Sequence, residues 1–454
     1  MSKTVKLRKG LDIKLFGEAE KVKSELALPK TVSVKPVDFH GMVPKMVVKE
    51  GETVKAGGII FYDKYRESIK YASPASGTVK AIVRGAKRRI LEVVIETDGA
   101  QSFESHNVGK VNEMSGDQVK EAMLNSGMWP FIKQRPIDIV ADPNQKPKAI
   151  FVSAFDSSPL AADLDYLLHN HKEEFQTGLD ALSKLTEGIV HLSVNGKLRA
   201  DSYFTDVKGV QINKVTGKHP AGNVGTQIHH IDPINKGEFV WTVGAQDVAL
   251  IGRFFMTGTF DARKTIALTG SEVKSPQYFD TIIGANLSDL LNDRLASDNV
   301  RVISGNVLTG MAVEKDGFLG FYDNQVTVIP EGNQLKFAFT EGWMAPFGFK
   351  KPTNSKLFFS RLTPNKKFRV DTNTYGEERA FVVTGELERV FPFDIFPMQL
   401  AKAAITDDIN AMENLGIYEV APEDFALCEY VCTSKIDIQH YIRQGLDLIQ
   451  KECM

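Results

Sequence analysis

The stretch VVKEGETVKAGGIIFYDKYRESIKYASPASGTVKAIV, residues 47–83, decides how the first part of this chain folds. Apolar and polar residues alternate within it and on both sides of it, and glycine-rich turns interrupt the alternation. This period-2 pattern is typical of short β-strands. The alternating apolar positions are Val32, Val34, Val79, Ala81, Val83, Leu91, Val93 and Ile95. Residues 31–99 are therefore predicted to be all-β.

The pattern changes to α/β over residues 112–200. We predict a helix, a strand, a second helix and a second strand, at 116–126, 149–155, 159–171 and 188–194. That order suits a partly wound parallel sheet. Between 206 and 262 the helical pattern fades and Gly, His and β-branched residues dominate, which predicts strand and loop.

A second small unit follows at 263–330. It reads as a strand (KTIALTGSEV), a short helix (LSDLLNDRL) and two further strands (VRVISG and QVTVIP). This order resembles a ubiquitin-like β-grasp module of the soluble-ligand-binding family.

The C-terminal residues 384–454 read as helices. A first helix is predicted from Pro397 to a C-cap at Gly416, a second from Pro422, and a third after Ser434 and Asp437 in capping-box spacing. The apolar stripes of the first and third helices are Leu400, Ala404, Ile405, Ile409 and Met412, and Ile438, Ile442, Leu446 and Ile449. Together they predict a small helical bundle.

Composition limits the classes of function. The 454 residues include 55 basic and 57 acidic ones, a net charge of −2, so no overall field attracts nucleic acid or anionic lipid. No window approaches 18 consecutive apolar residues and the N-terminus lacks the apolar core of a signal peptide. Three cysteines, Cys428, Cys432 and Cys453, fit a reducing compartment without a disulfide framework.

The opening stretch resembles the hammerhead of lipoyl and biotinyl carrier domains, with a Gly51 turn and a return at Pro74 to Gly77. In those carriers the modified lysine precedes the Pro-x-x-Gly by a fixed distance. Counting eight residues back from Pro74 gives Arg66, whose guanidinium is a poor nucleophile. We therefore predict a scaffold without a swinging arm, with Lys64 and Lys70 as alternative acceptors if the register differs.

Several segments together resemble the A-subunit family of Na⁺-translocating NADH:quinone oxidoreductases. They are LRKGLDIKLFGEAE (7–20), FHGMVPKM (39–46), the hammerhead, HPAGNVGTQIHHIDPI (219–234) and FALCEYVC (425–432). The domain order is also similar, more distantly, to the NADH-binding flavoprotein subunit of complex I and the C subunit of the Rnf complex. The match covers essentially the whole chain.

This resemblance implies a peripheral component of a six-subunit complex, docked especially on its large membrane-embedded B subunit. It places the chain at the cytoplasmic face of the bacterial inner membrane, without a transmembrane helix. The complex reduces ubiquinone or menaquinone and exports Na⁺, with NADH, FAD, FMN and iron–sulfur sites in its other subunits. The distant relatives keep open a second hypothesis, an NADH-dependent flavoprotein.

Departures from the distant relatives argue against a cofactor in this chain. Their glycine-rich phosphate loop corresponds to residues 125–133, where Trp129, Pro130 and Phe131 replace glycines and remove one N–H donor. Their iron–sulfur cluster needs four cysteines, and this chain has three. We predict no catalytic residue and no cofactor of its own.

The fold class predicted is a multidomain α/β chain. The predicted domains are a barrel-sandwich (lipoyl-like) β domain at 1–100, a Rossmann-like α/β domain with a strand and loop extension at 101–262, a β-grasp domain at 263–335, a basic aromatic connecting loop region at 336–383 and a C-terminal helical bundle at 384–454.

Two other patterns allow more than one interpretation. His219, His229 and His230 lie within twelve residues, but adjacent histidines on a strand point to opposite faces, so we predict no metal site there. The run from Asp156 to Pro159 stands where α/β folds place ligands, yet it reads equally as a helix N-cap formed by Ser158. We favour the cap.

The family resemblance makes quinone the one small ligand to consider for this chain. A quinone headgroup needs a flat apolar slot with one or two donors. The suitable residue types are Phe39, His40, Gly41, Met42, Trp129 and Phe131, and ordinary core packing is their alternative role.

The segment from Trp343 to Arg369 carries seven basic and six aromatic residues and no acidic one. Such a loop can rest on a protein partner or on headgroups beside it, although a solvated loop is the alternative. The candidate docking residues are Trp343, Lys350, Lys351, Lys366 and Lys367.

Overall fold

The computed structural model describes residues 2–198, 202–334, 336, 337, 339 and 362–454. In these residues the strands form four sheets, of seven, six, four and three strands. The alternating region builds the two smallest. Its strands are β3 (Thr31–Val34), β4 (Pro44–Met46), β5 (Thr53–Val54), β6 (Ile59–Asp63), β7 (Arg66–Ala72), β8 (Gly77–Arg84) and β9 (Ile90–Thr97).

The two small sheets share one apolar core. Their strand orders are β3-β9-β8-β5 and β4-β6-β7, and every neighbouring pair is antiparallel. Val32, Ile60 and Val93, three apolar residues of these strands, are 0% exposed. The prediction of an all-β region over 31–99 is confirmed, because the period-2 pattern has one buried side.

The seven-stranded sheet has the order β1-β14-β13-β12-β15-β10-β11. Its strands are β1 (Thr4–Lys6), β10 (Lys133–Arg135), β11 (Ile139–Val140), β12 (Ala149–Ser153), β13 (Ile189–Asn195), β14 (Gln211–Thr216) and β15 (Val240–Gly244). The five strands from β1 to β15 run parallel, and β10 and β11 are antiparallel additions. The N-terminal β1 thus joins a sheet formed by residues far along the chain.

The helices of this region depart from the prediction. They are α1 (Gly116–Ser126), α2 (Leu164–Leu168), α3 (Lys172–Ser183), α4 (Val224–Ile231) and α5 (Ala245–Thr257). The α1 helix is confirmed at its predicted bounds. The prediction of a helix over 159–171 is wrong, because the Asp163 side chain caps the later and shorter α2.

The prediction of strand and loop for 206–262 is confirmed for β14 and β15 but wrong for α4 and α5, which also lie there. Ten of the residues of α5 are buried, including Gln246 and Asp247, so its polar residues do not mark an exposed face. The glycine of α5, Gly252, allows close contact between α3 and α5. An added Cβ at Gly252 would lie 1.7 Å from the Glu174 carbonyl oxygen, and one at Gly178 would lie 2.0 Å from that of Val248, so α3 and α5 pack backbone to backbone.

The six-stranded sheet has the order β19-β18-β20-β16-β17-β2. Its strands are β2 (Glu20–Glu25), β16 (Arg263–Thr269), β17 (Gln277–Ile282), β18 (Val300–Ser304), β19 (Met311–Val313) and β20 (Gln325–Pro330), and the short helix α6 (Ser288–Leu291) follows β17. Ile266, Phe279 and Val328 share a separate core with Leu290 of α6. The N-terminal β2 pairs in parallel with β17.

The C-terminal residues form a helical bundle. Its helices are α7 (Glu386–Val390), α8 (Pro397–Ile405), α9 (Ile409–Asn414), α10 (Pro422–Val431) and α11 (Ile438–Cys453). The predicted stripe of α11 is confirmed, with Ile438, Ile442, Leu446 and Ile449 all 0% exposed.

Two details of the bundle differ from the prediction. The helix predicted from Pro397 to Gly416 is two helices, because Asp407 has a φ of +53° and Asp408 caps the second one. Ile405 is consequently 37% exposed instead of lying in the stripe. Asp437 caps α11, whereas Ser434 donates to the Ala380 carbonyl and forms no capping box.

Two sheets draw on residues from outside the predicted domains: β1 lies in the α/β sheet and β2 in the sheet of residues 263–330. The domain boundaries therefore stay predictions. Among the residues described, no helix combines the length and apolar character needed to cross a membrane.

Candidate functional site

Phe39, the first residue of the FHGM segment, lies in an aromatic cluster. Its ring centroid is 4.5 Å from that of Tyr71 and 4.9 Å from that of Phe321. Met42 is also buried, and Gly41 has a φ of +73° in the turn between them. The segment thus anchors the β domain to the loop before β20.

His40 points the other way, to the C-terminal bundle. Its Nε2 lies 2.7 Å from Oδ1 of Asp447 on α11, and Arg443 Nε donates to the same oxygen at 3.1 Å. Burial alone would raise the pKa of Asp447, but the hydrogen bond to His40 and the Arg443 charge outweigh it and hold the pKa below the ordinary value. His40 is therefore an interdomain contact.

Trp129 and Phe131 lie in the core. The Trp129 indole N–H donates to the Ala141 carbonyl at 2.8 Å, and its ring meets Trp241 edge-on at 5.3 Å. The Phe131 ring lies 4.7 Å from Phe321, so Phe321 contacts both Phe131 and Phe39. The structure brings Phe39 and Phe131 together through a residue that the sequence analysis missed.

A cavity of about 190 Å³ opens beside this cluster. Its lining includes Phe39, His40, Lys133, Asp138, Tyr322 and Arg443. Lys133 Nζ is 3.2 Å from Asp138 Oδ1 and lies 5.1 Å from the centre of the Tyr322 ring. The Tyr322 hydroxyl donates to the Pro130 carbonyl at 2.6 Å, which ties the cavity wall to the Trp129–Phe131 turn. The cavity thus offers two aromatic rings, Phe39 and Tyr322, at 76° to each other, and a lysine whose ammonium group is paired with Asp138.

The charges around the cavity shift two carboxyl groups in opposite directions. Burial raises the pKa of Asp38 to about 6, against the opposing charge of Lys35. Burial would also raise the pKa of Asp138, but Lys133, Arg135 and Arg443 hold it well below the ordinary value. Asp138 thus stays ionised and fixes the cations around it.

A larger cavity, of about 700 Å³, lies between α5 and the first strands of the six-stranded sheet. Part of its charged wall is paired: Arg253 Nε lies 3.1 Å from Glu174, and Lys23 Nζ lies 2.9 Å from Asp280. Lys264, which also lines the cavity, is buried, and its Nζ has no hydrogen-bond partner among the described residues. No sequence motif marked this place, because its walls come from segments distant in sequence.

The hairpin of the hammerhead corrects the prediction for Arg66. The turn consists of Lys64 and Tyr65, and Arg66 begins β7. The pairing of β6 with β7 shifts register twice, so the count of eight residues back from Pro74 does not reach the turn. Arg66 donates from Nε to Asp63 at 2.8 Å and from Nη1 to the Val140 carbonyl at 2.8 Å. Arg66 therefore anchors the hairpin, and Lys64 is the exposed lysine of the turn.

Each of the three clustered histidines contacts a different partner. His219 Nδ1 is 3.1 Å from the Ser157 hydroxyl, His229 Nδ1 is 2.7 Å from Glu419 and His230 Nδ1 is 2.9 Å from the Thr226 carbonyl. The prediction that His229 and His230 lie on a strand is wrong, since both belong to α4. No group of three or more His, Cys, Asp or Glu within the described ranges is placed to hold a metal ion.

The run from Asp156 to Pro159 is not a helix cap. The Asp156 side chain accepts from the Ser158 N–H at 2.8 Å, and the next helix begins only at Leu164. The nearby glycines of the GNVG stretch serve close packing. A Cβ at Gly222 would lie 2.4 Å from the Ser157 nitrogen, and one at Gly225 would lie 2.4 Å from an Asp424 carboxylate oxygen. A carboxylate, instead of a phosphate, faces the start of α4.

The predicted docking residues fall partly outside the described residues: Trp343, Lys350 and Lys351 do so. Lys367 Nζ pairs with Glu18 at 2.6 Å, and Lys366 lies 5.5 Å from the centre of the Phe368 ring. The cysteines Cys428 and Cys432 are buried in the bundle core.

Three family models match the chain. They are the NqrA N-terminal barrel-sandwich hybrid domain over residues 5–98, the NqrA second alpha/beta domain over 114–260 and the NQRA C-terminal domain over 265–315. The first two coincide with the alternating β region and the parallel sheet. With the C-terminal helices, they confirm the predicted fold class.

Among solved structures, an NAD+-reducing NiFe hydrogenase in the H2-reduced state is 11% identical over 76% of this chain and 62% of that chain, at a TM-score of 0.39. That likeness is too low to carry an argument.

Three curated relatives match over nearly their full length, and each is named as the A subunit of a Na(+)-translocating NADH-quinone reductase. The chain is 38% identical to the protein of Marinomonas sp. (strain MWYL1), 39% to that of Rhodopirellula baltica and 38% to that of Haemophilus influenzae (strain PittGG). The alignments cover 98%, 98% and 99% of this chain and 99%, 98% and 100% of the relatives. The chain therefore belongs to the family of A subunits of the Na⁺-translocating NADH-quinone reductases.

Proposed function

We propose that this chain is a peripheral, cofactor-free component of a Na⁺-translocating NADH:quinone oxidoreductase, with roles in assembly and in quinone binding. The observation that supports membership of the complex is the similarity to named A subunits over 98% of the chain. In this proposal the chain docks at the cytoplasmic face of the inner membrane on the other five subunits, chiefly the membrane-embedded B subunit. Electrons pass through those subunits.

The cofactor-free part rests on three features of this chain. Trp129 and Phe131 pack into the core where the distant relatives have a glycine-rich loop, the Asp424 carboxylate faces the start of α4, and three cysteines are too few for a cluster. Purified protein should show no flavin absorbance, and its intact mass should equal that of the unmodified chain. A flavin spectrum, or an added lipoyl or biotinyl mass at Lys64, would contradict this part.

Docking is proposed for the basic aromatic segment. Exposed apolar side chains lie just before it and within its described part: Phe337 is 69%, Phe339 63% and Leu362 72% exposed. A partner that covers them would gain apolar burial next to a basic surface.

The docking test uses matched charge reversals. Lys350, Lys351, Lys366 and Lys367, all changed to Glu, should lower the amount of chain that copurifies with the membrane subunits. The control reverses four scattered exposed lysines, Lys30, Lys110, Lys184 and Lys208. Equal recovery of complex with the two variants would exclude this docking surface.

For quinone, we propose that the headgroup occupies the cavity of about 190 Å³, beside the Phe39 and Tyr322 rings, with Lys133 as hydrogen-bond donor to a carbonyl oxygen. The Tyr322 hydroxyl donates to the carbonyl of Pro130, the residue after Trp129, and Trp241 lies 5.3 Å from Trp129, so a bound quinone should quench tryptophan fluorescence.

A pair of lysine variants tests the quinone site. Lys133→Met should weaken quenching by a soluble short-chain quinone about tenfold or more, the loss expected for one charged hydrogen bond. Lys172→Met is the matched control, because Lys172 lies 5.8 Å from the centre of the Tyr203 ring, away from the cavity. Equal affinity of the two variants would place the quinone elsewhere.

A further inference from the structure

The hairpin between β8 and β9 ends in a cluster of positive charge. Arg84, Lys87, Arg88 and Arg89 are all exposed, and we call these four residues the basic hairpin tip. The Gly85 N–H donates to the Arg89 carbonyl at 2.8 Å and closes the turn. Four cations therefore lie within six consecutive residues at one end of the β domain.

No carboxylate of the described residues lies within salt-bridge distance of these four side chains, and the one side-chain bond among them runs from Arg84 Nη1 to the Arg88 carbonyl at 3.3 Å. The acids nearest in the sheet are Glu92, which pairs with Val83, and Glu50, which accepts from the Ile82 N–H at 2.7 Å. Since the whole chain is close to neutral, the tip is a local positive field.

The backbone of the tip is unusual. Lys87 has a φ of +54° and Arg88 a φ of +61°, so two adjacent residues with side chains occupy the left-handed region. Glycine or asparagine would form such a turn at lower cost. The turn itself thus gives no reason for basic residues, and their charge needs another explanation.

We propose that the basic hairpin tip rests on anionic phospholipid headgroups and binds their phosphate oxygens. Val83, which is 39% exposed, and the exposed Ala86 add small apolar side chains beside the charges. Basic side chains with modest apolar neighbours suit a headgroup layer, into which long Lys and Arg side chains can reach. A protein interface would favour aromatic anchors, and the tip contains none.

Vesicle binding of the full chain tests this proposal independently of any quinone or complex. The variant Arg84→Gln, Lys87→Asn, Arg88→Asn and Arg89→Gln removes four charges while asparagine keeps the left-handed turn accessible. The control replaces Lys30, Lys110, Lys184 and Lys208 with Gln, which removes the same charge from scattered exposed sites.

The wild-type chain and the control should sediment with vesicles containing phosphatidylglycerol and should be released by salt. The affinity of the tip variant for these vesicles should fall about fivefold for each lost charge, and thus more than roughly a hundredfold in total. Equal binding to pure phosphatidylcholine vesicles, or full binding by the tip variant, would overturn the proposal. Binding to polyglutamate without binding to the anionic vesicles would also overturn it, in favour of an acidic protein.

Discussion

Asp38 is the residue beside the small cavity whose ionisation should affect stability most clearly. Burial raises its pKa from 3.8 to about 6, although Lys35 Nζ lies 3.6 Å away and the Phe321 N–H donates to it at 2.9 Å. The folded chain therefore holds this proton at a pH where the unfolded chain has lost it. The stabilising contribution is complete below about pH 4 and is lost as pH rises to about 6.

Between pH 4 and pH 7, the free energy of unfolding of the wild type should fall by roughly 3 kcal/mol more than that of the Asp38→Asn variant. Scanning fluorimetry of both proteins across this range measures the difference. Asp98 is an opposite control, because the Ser76 hydroxyl holds its pKa below the ordinary value. The Asp98→Asn variant should instead be less stable than the wild type near neutral pH. If the stability of Asp38→Asn and of the wild type changed with pH in the same way, the raised pKa of Asp38 would be contradicted.

At the residue scale, the sequence predicted types of side chain better than their partners. Phe39 and Phe131 do share a cluster, but Phe321 and Tyr322, which join them, come from a loop about 190 residues further on, with no local signal. For the hammerhead turn, the residue count pointed to Arg66 and kept Lys64 only as an alternative. Irregular pairing changed the spacing, and a residue count contains no register.

At the scale of elements, the contact between α3 and α5 depends on glycine. Alanine is the better helix former by about 1 kcal/mol, so Gly252→Ala would stabilise an exposed helix. Here the new Cβ would meet the Glu174 backbone at 1.7 Å, and we expect a net loss of about 1–3 kcal/mol in the free energy of unfolding.

Gly445 of α11 provides the matched control for Gly252. Its added Cβ would first meet the Met412 sulfur at 2.8 Å, and a methionine side chain can move aside. Urea unfolding should therefore show a smaller effect for Gly445→Ala. If Gly252→Ala is as stable as wild type, the two helices do not pack this closely.

The α11 stripe gives a second test at this scale. Ile442 is 0% exposed and Ile405 is 37% exposed, although the sequence pattern placed both on apolar faces. Ile442→Ala should lower the free energy of unfolding by about 2–5 kcal/mol, and Ile405→Ala by much less. Equal losses would mean that Ile405 lies in the core, as a single unbroken helix requires.

Helices of this chain were predictable where one face meets water. The α11 helix has a stripe, a cap and a polar face, and its prediction is confirmed. The α5 helix is buried on most sides, including its polar Gln246 and Asp247, so polar residues do not mark an exposed face. The break between α8 and α9 depends on the backbone of Asp407. Burial and backbone geometry are tertiary properties that a local pattern does not carry.

At the scale of the whole molecule, Arg135 joins the parallel sheet to the C-terminal bundle. The residue is 2% exposed, and its guanidinium lies 2.5 Å from Glu423 and 3.3 Å from Asp424, two residues at the start of α10. Removing one partner of a buried pair leaves an uncompensated charge, which costs about 3–5 kcal/mol.

We expect Arg135→Met to loosen the bundle from the sheet, which limited proteolysis between residues 362 and 386 should detect. The double variant Arg135→Met, Asp424→Asn should recover part of the resistance, because it removes the stranded carboxylate as well. Unchanged cleavage of Arg135→Met would mean that other contacts hold the bundle.

The N-terminal strands also connect distant parts of the molecule. Lys3, beside β1, bonds to Asn213, a residue 210 positions later, and β2 needs β17, which lies later still. A ribosome that adds about 5–20 residues per second takes roughly 10–40 s to cover that interval. During this time β1 and β2 have no partner strands, and unpaired strand edges are prone to aggregation. β1 and β2 are thus synthesised long before the strands with which they pair.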